Sequence, residues 1–334
     1  MKETKLSKKL TIMIFLALAI FMAGAIVLHN NPLADPGEEA VKKVLSCTVI
    51  AGASIAFIAG YDKLTVLPAE LWQSRHLIWK LAKNDFKKRY AGSYLGAVWA
   101  MAQPVVTVAM YFLVFDLVFG SEGPLLADGT RAPYVLSLTA GLVPWFFFSE
   151  ALNQGTTALL EYNYLVKKVV FKISILPIIK VIAAGFIHVF FIAILLVLAA
   201  GYGYYPTVYT IQLLYYSACL FAFVLALCYT TCAVVVFFKD LTQIINIGLQ
   251  IGMWATPILW NLSDMQSKFG DAVLLFKINP LVYIVDGYRS AIFERRWFFE
   301  DFFSTMYFWI ITVVLFGVGA LIFKRLKVHF ADVL

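Results

Sequence analysis

The residues best placed to do chemistry in this chain are cations that lie beside aromatic rings. After Leu71, the residues Lys80, Lys83, Lys87, Lys88 and Arg89 crowd one part of a helical circumference. On another part, Trp72, Trp79, Ala82 and Phe86 recur at steps of seven, three and four, which is the spacing of one helix face. A helix of that make-up lies in the headgroup plane, with its rings in the acyl boundary and its cations among lipid phosphates. Attraction of phosphate is the chemistry it offers, and no acid–base constellation accompanies it. The four histidines, His29, His76, His188 and His329, are scattered. Cys47, Cys219, Cys228 and Cys232 fall in apolar segments without metal-ligand spacing. No GxxxxGK[ST] loop, HExxH or GxSxG occurs, which excludes nucleotide binding by a P-loop and two common hydrolytic sites.

An ionisable residue inside an apolar run costs about 2.5–3.5 kcal/mol at the bilayer centre and so invites a role, and Asp116, Glu150 and His188 are the candidates. Asp116 lies near the outer end of its run, within reach of water. Glu150, with Asn153 and Gln154, makes a polar stripe turned to the bundle interior or to a partner copy. His188 has no carboxylate one turn away and reads as a hydrogen-bonded packing residue rather than a proton relay.

The elements that position these groups are membrane spans. Of 334 residues, 62% are hydrophobic, 16% aromatic and only 14% charged, and the mean hydropathy is +0.83. Soluble domains average about 25% charged residues, so the composition is that of an all-α polytopic membrane protein. The net charge of +7 is spread over span ends and carries no nucleic-acid signal. The lysines before Leu10 and the apolar run 11–28 resemble a signal peptide, but the run exceeds the usual 7–15 residues. A second apolar run, 44–60, makes a transmembrane hairpin over residues 1–62 the better reading. Residues 63–93 form the amphipathic interface helix. Six further spans are expected over 94–334, at about 94–119, 134–157, 173–200, 207–238, 241–260 and 302–323. Nineteen of the 27 Lys and Arg residues fall on the side of the amino terminus and eight on the other, which places both termini in the cytoplasm.

The region 261–301 is too short for a clear span and too apolar for a solvated loop. Leu281, Ile284, Val285, Tyr288 and Ile292 share one helix face, with Asp286, Arg289 and Ser290 on another. A re-entrant or interfacial helix pair at the outer mouth satisfies both facts, either as a gate or as a packing cap. Pro257 removes a backbone donor near the outer end of the preceding span and should kink or end it.

Asn84-Asp85, Lys87, Arg89-Tyr90, Ser93, Leu95-Gly96, Trp99 and Pro104 resemble the opening motif of ABC-2 type permeases, the membrane subunits of O-antigen, capsule and teichoic acid exporters. Asn84 stands where that family more often has a basic residue. Asn163, Leu165-Val166-Lys167, Phe171 and Leu176-Pro177 resemble its next conserved stretch, with Lys172 in place of a proline and Ser174 in place of a glutamate. Lys239-Asp240-Leu241, Thr256-Pro257-Ile258, Asn279-Pro280 and Tyr288-Arg289 follow in the family's order.

The resemblance implies a six-span core, here preceded by the extra hairpin, and a short coupling helix near 159–172 that seats on an ATP-binding subunit. Glu161, Asn163, Leu165, Lys167 and Lys168 would make that contact. It implies an outer gate built from Pro257, Asn279, Pro280, Tyr288 and Arg289. It also implies a channel with stacking rings, for which Trp99, Trp145 and Trp254, with Glu150, are the expected lining. Trp72, Trp79, Lys83, Lys87, Lys88 and Arg89 would receive a lipid head group. The implied partners are two ATP-binding subunits, a second copy of this chain, membrane lipids and a lipid-linked glycan or teichoic acid. No cofactor is expected in this chain, since ATP and Mg would sit on the partner. The expectation is therefore a permease in a bacterial cytoplasmic membrane that exports such a polymer and is not itself an enzyme. The alternatives are a permease for a small drug or lipid, and a membrane-embedded glycosyl- or acyltransferase.

Overall fold

A computed structural model describes residues 8–28, 36–89, 92, 94, 96–126, 129–167, 172–262, 270 and 274–334. The chain divides into two compact units, Met1–Ala69 and Glu70–Leu334. The first holds α1 (Lys8–Leu28) and α2 (Pro36–Leu64), both long enough to cross a bilayer. They pair as a hairpin in which Phe15 stacks on Phe57 at 4.1 Å and the Lys8 ammonium lies 5.2 Å from the Tyr61 ring. Most of their other side chains are open, as expected of helices whose solvent is lipid.

The amphipathic segment is two helices rather than one, α3 (Val66–Gln73) and α4 (Arg75–Arg89). The core follows. After a 3₁₀ turn at Gly96–Val98 comes α5 (Trp99–Tyr111), extended by a π-helical segment, Phe112–Val118. Next are α6 (Tyr134–Glu161), the short α7 (Asn163–Val166), α8 (Leu176–Gly201), α9 (Gln212–Val235) and α10 (Leu241–Ala255). The chain ends in α11 (Leu274–Lys277), α12 (Pro280–Arg289), α13 (Phe302–Leu326) and α14 (Phe330–Val333).

Among the described residues, seven helical stretches have the length and composition to cross a membrane, one fewer than the sequence suggested. The missing one is α10. Its 15 residues rise about 22 Å, short of a hydrocarbon core of about 30 Å. It stops at Ala255 because Thr256 is extended and Pro257 has no N–H to continue the ladder.

Helix α6 is the hub, packing on α8, α9, α10 and α12, and most of its residues are buried. Lipid offers no hydrophobic drive between helices, so close backbone approach has to hold them together. Gly155 provides it against α9, where a Cβ would stand 2.3 Å from Cys228 Sγ. Gly319 does the same between α13 and α9, with Ala226 O at 2.9 Å. The buried cysteines Cys219, Cys228 and Cys232 are free thiols that act as small packing residues. Gly155→Ala is expected to destabilise the core by about 1–3 kcal/mol, since the collision is with a side chain held at a helix interface. Gly317→Ala, at a position in α13 with open space around it, should leave the melting temperature unchanged or raised. Thermal unfolding in mild detergent distinguishes the two.

Candidate functional site

Two constellations stand at opposite ends of the bundle. At the α4 end, α4 lies against α8 through Ile78, Ala82 and Asp85, all buried and spaced four and three apart. Trp79 and Phe86 meet Phe186 of α8 edge-on at 5.4 and 5.5 Å. The face predicted for lipid thus packs partly on protein, while Trp72 stays 72% exposed with the Arg75 guanidinium over its ring.

Asp85 is there because Lys180 is there. Lys180, 4% exposed within α8, places Nζ 2.8 Å from Asp85 Oδ1 and 2.5 Å from Glu161 Oε2. Its ammonium also lies 5.0 Å from the centre of the Tyr162 ring. Tyr162 donates its hydroxyl to Asp85 Oδ1 at 2.5 Å, and Thr157 donates to Glu161 Oε1 at 2.7 Å. Arg89 joins the same cluster: Nη1 is 2.9 Å from Glu150 Oε1, and Nη2 is 3.4 Å from Asp85 Oδ2 and bonds Gln154.

This corrects the reading of Arg89 as one of the headgroup cations. Arg89 is paired with two carboxylates on the core side, whereas Lys80, Lys83, Lys87 and Lys88 are exposed. Glu150 is likewise an ion-pair partner, although it also borders a cavity of about 330 Å³ with Trp99 and His188.

The connector between α6 and α8 is pinned from both ends. Ser174 donates to Glu70 Oε2 at 2.5 Å, Tyr229 donates to the Ser174 carbonyl at 2.9 Å, and Lys172 reaches Gln73 Oε1 at 3.3 Å. A carboxylate from α3 therefore meets the position where the resembled motif carries its own. Between these anchors, Asn163 and Lys167 are exposed, Leu165 is partly so, and Val166 is buried. Lys168 lies outside the described residues.

At the other end, α12 closes over the first turns of α6. Asn279 caps α12 by accepting from the Leu281 N–H at 3.1 Å, and it donates from Nδ2 to Thr256 Oγ1 at 2.8 Å. Pro280 fills the first helical position, where no N–H is needed. Arg289, 3% exposed, donates from Nη2 to the Ile258 carbonyl at 3.1 Å and from Nε to the Ser137 carbonyl at 3.4 Å. Tyr134 donates to the Leu259 carbonyl at 3.1 Å.

In the non-helical stretch after α10, the Ile258 and Leu259 carbonyls are thus satisfied inside protein. Arg289 was expected on the polar face of α12 with Asp286 and Ser290; the carbonyls of Ile258 and Ser137 draw it inward, and Ser290 is buried too. Tyr288 is fully buried and hydrogen-bonds His188 Nε2 at 2.9 Å and Ser217 at 2.7 Å, joining α12 to α8 and α9. Of the residues expected at an outer gate, Asn279, Pro280, Tyr288 and Arg289 thus fall on or at the start of α12, which makes a lid over the first turns of α6. Pro257 lies between Thr256 and Ile258, which Asn279 and Arg289 contact.

One lateral face of the bundle is open. Trp99 is 57% and Trp254 62% exposed, but Trp145, predicted beside them, is buried with its ring tip against Gly252 and cannot line an open surface of one copy. Sequence reasoning missed a polar track on α10. Gln243, Asn246 and Gln250 are exposed at steps of three and four, next to the apolar stripe Ile244, Ile247, Ile251 and Trp254. Asn246 and Thr242 face Asn153, Gln154 and Thr157 of α6 across a cavity of about 250 Å³. The i, i+3, i+7 spacing of amides in an apolar run was the available signal. Among the described residues, no group of three or more His, Cys, Asp or Glu side chains is arranged to hold a metal.

Residues 76–293, from the first turn of α4 past the end of α12, match the ABC-2 type transporter family. The chain belongs to that family. The matched region excludes α1 and α2. One curated relative, the O-antigen export system permease protein RfbA of Myxococcus xanthus, is 30% identical over 266 residues, covering 80% of this chain and 98% of the relative. Two proteins of the same description from Klebsiella pneumoniae are 27% and 26% identical over 257 residues, each covering 76% of this chain and 93% of the relative.

Burial alone would raise the Asp85 carboxyl, but bonds from Lys180 and Tyr162, with the Arg89 charge, hold it below the usual carboxylate range. The Tyr162 phenol is pushed up by burial and by Asp85, so it stays a donor. A depressed native pKa gives stability that is complete above the unfolded value near 4 and is lost as pH falls through the native one. Asp85→Asn should lower stability at pH 7 by about 3 kcal/mol, because the Lys180 cation loses a buried partner. The variant should also lose part of the acid-side decline expected of the unaltered protein as pH falls below the ordinary carboxylate range. Melting curves at stepped pH check both outcomes.

Proposed function

We propose that this chain is the transmembrane subunit of an ATP-driven exporter that moves a lipid-linked polysaccharide across a bacterial cytoplasmic membrane. The α4 end faces the cytoplasm, in keeping with its cations. Two copies meet along α5 and α10 and enclose the path, and each copy docks one ATP-binding subunit at the connector after α6. The substrate reading draws on the three relatives, all named for O-antigen export.

The observation that carries the proposal is the open face of α10. Three amides in an otherwise apolar helix need water or polar partners. In one copy they face outward beside a four-residue apolar stripe. A second copy seated on that stripe places both amide tracks along a shared, wet interior, and Trp99 and Trp254 offer ring faces to passing sugars.

Transmission follows from the ion cluster. Lys180 is bonded both to α4, through Asp85, and to the end of α6, through Glu161. A push on Asn163–Lys167 by the ATP-binding subunit therefore moves α4 and the feet of α6 and α8 as one body. Lys83, Lys87 and Lys88 remain free to hold the phosphate of the lipid carrier at the membrane surface.

Asn246→Leu with Gln250→Leu is expected to abolish surface polysaccharide while the complex still assembles. Affinity purification from the native membrane, with mass spectrometry and a surface-glycan immunoblot, reads both. Failure to recover an ATP-binding subunit near one-to-one stoichiometry would overturn the exporter reading. Full export by the double variant would overturn the assigned path.

A further inference from the structure

A third cavity, of about 550 Å³, lies between α12 and the start of α13, at the end of the bundle opposite the ion cluster. That volume falls within the range of about 300–1,000 Å³ usual for small-molecule sites. We propose that it binds a single sugar unit of neutral or near-neutral character.

The lining combines two chemistries that few other ligands would use together. Buried Tyr216 and Tyr283 contribute rings, and Trp297, Phe298, Phe303 and Tyr307 add more accessible ones, with Phe303 itself 41% exposed. Among these rings stand three carboxylates with acceptor capacity to spare. The Asp286 side chain is 44% exposed, and its nearest cation, Arg289 Nη1, is 3.9 Å away. Arg289 spends its shorter bonds on the carbonyls of Ile258 and Ser137. Glu300 accepts the Trp297 N–H at 3.0 Å and Asp301 the Ser304 N–H at 3.4 Å, and each carboxylate can take further donors.

Lys277 stands in the same wall, and Arg296 beside it is paired to Glu294 at 2.5 Å, so the lining keeps a modest negative excess that disfavours a phosphate. An acyl chain would use the rings and leave three carboxylates without donors. A pyranose satisfies both sets, its C–H face lying on a ring and its hydroxyls donating to carboxylates.

The cavity shares α12 with the lid. Asn279 and Pro280, which hold the lid against Thr256, also border it, while Arg289 leaves the other side of the same helix. The inference rests on the proposed export function for one point, the source of the sugar, which is a unit of the chain as it emerges.

The test begins with the full-length protein in lipid nanodiscs. Saturation-transfer NMR is recorded with D-glucose, D-mannose, D-galactose, L-rhamnose and N-acetyl-D-glucosamine at millimolar concentration. At least one should receive saturation on its ring C–H protons, and Asp286→Asn should weaken it about fivefold, the exchange of one charge-assisted hydrogen bond for a neutral one. Phe303→Ala should remove the signal. No saturation for any sugar, or equal signals in both variants, overturns the site.

In cells, a photoreactive phenylalanine analogue replacing Phe303 should capture glycan only when the ATP-binding subunit can hydrolyse ATP. Capture without hydrolysis would overturn the emerging chain as the source. Sugar binding by a protein that exports no glycan would leave this site standing and remove the proposed function. Export without sugar binding would do the reverse.

Discussion

The structure turns on one buried cation. An ammonium at 4% exposure in an apolar helix is unfavourable unless anions reach it, and Lys180 has two. Asp85 arrives from α4, so α4 is tied to α8. Glu161 arrives from the last turn of α6, so the connector to α8 starts from a fixed point. Arg89 then bridges Asp85 to Glu150 and carries the same constraint deeper into the bundle. Removing the lysine frees three elements at once, which gives the cluster more mechanical weight than its number of bonds implies.

The opposite end solves a different problem with the same residue chemistry. Chain that is not helical at membrane depth has carbonyls that lipid cannot satisfy. A guanidinium, with donors fixed in a plane and pointing several ways, can serve two segments simultaneously, as Arg289 does for α6 and for the stretch after α10. Lysine suits the compact cage at one end, where acceptors converge on a point. Arginine suits the lid, where they are spread out.

Much of this was legible in the sequence and some was not, for reasons that can be stated residue by residue. The helical spacing of Trp79, Ala82 and Phe86 announced α4, although Trp72, expected on the same helix, belongs to α3, and Pro257 announced the end of α10. Periodicity gives the faces of a helix but not its partners. It could not show that Arg89 turns inward while Lys87 and Lys88 do not, because Glu150 lies 61 positions away. Nothing local marks the pair that Lys180 forms with Asp85, 95 residues distant. Trp145 was misplaced for a similar reason: an aromatic in a span reads the same whether its neighbour is a glycine on the next helix or an open path. The amides of α10 were visible and passed over, since single polar residues in spans are common and only their spacing was informative.

Glu70 precedes the region that aligns with the family, which opens at residue 76, yet its carboxylate takes up the Ser174 hydroxyl inside the core. In this chain a negative charge that belongs to the connector's surroundings has been outsourced to a helix upstream of it. The practical boundary of the transport unit therefore falls ahead of Glu70 rather than at the start of the aligned block. Any shortened version or chimera joined at residue 76 would inherit a connector stripped of its counter-anchor. A splice made before Glu70 would keep it.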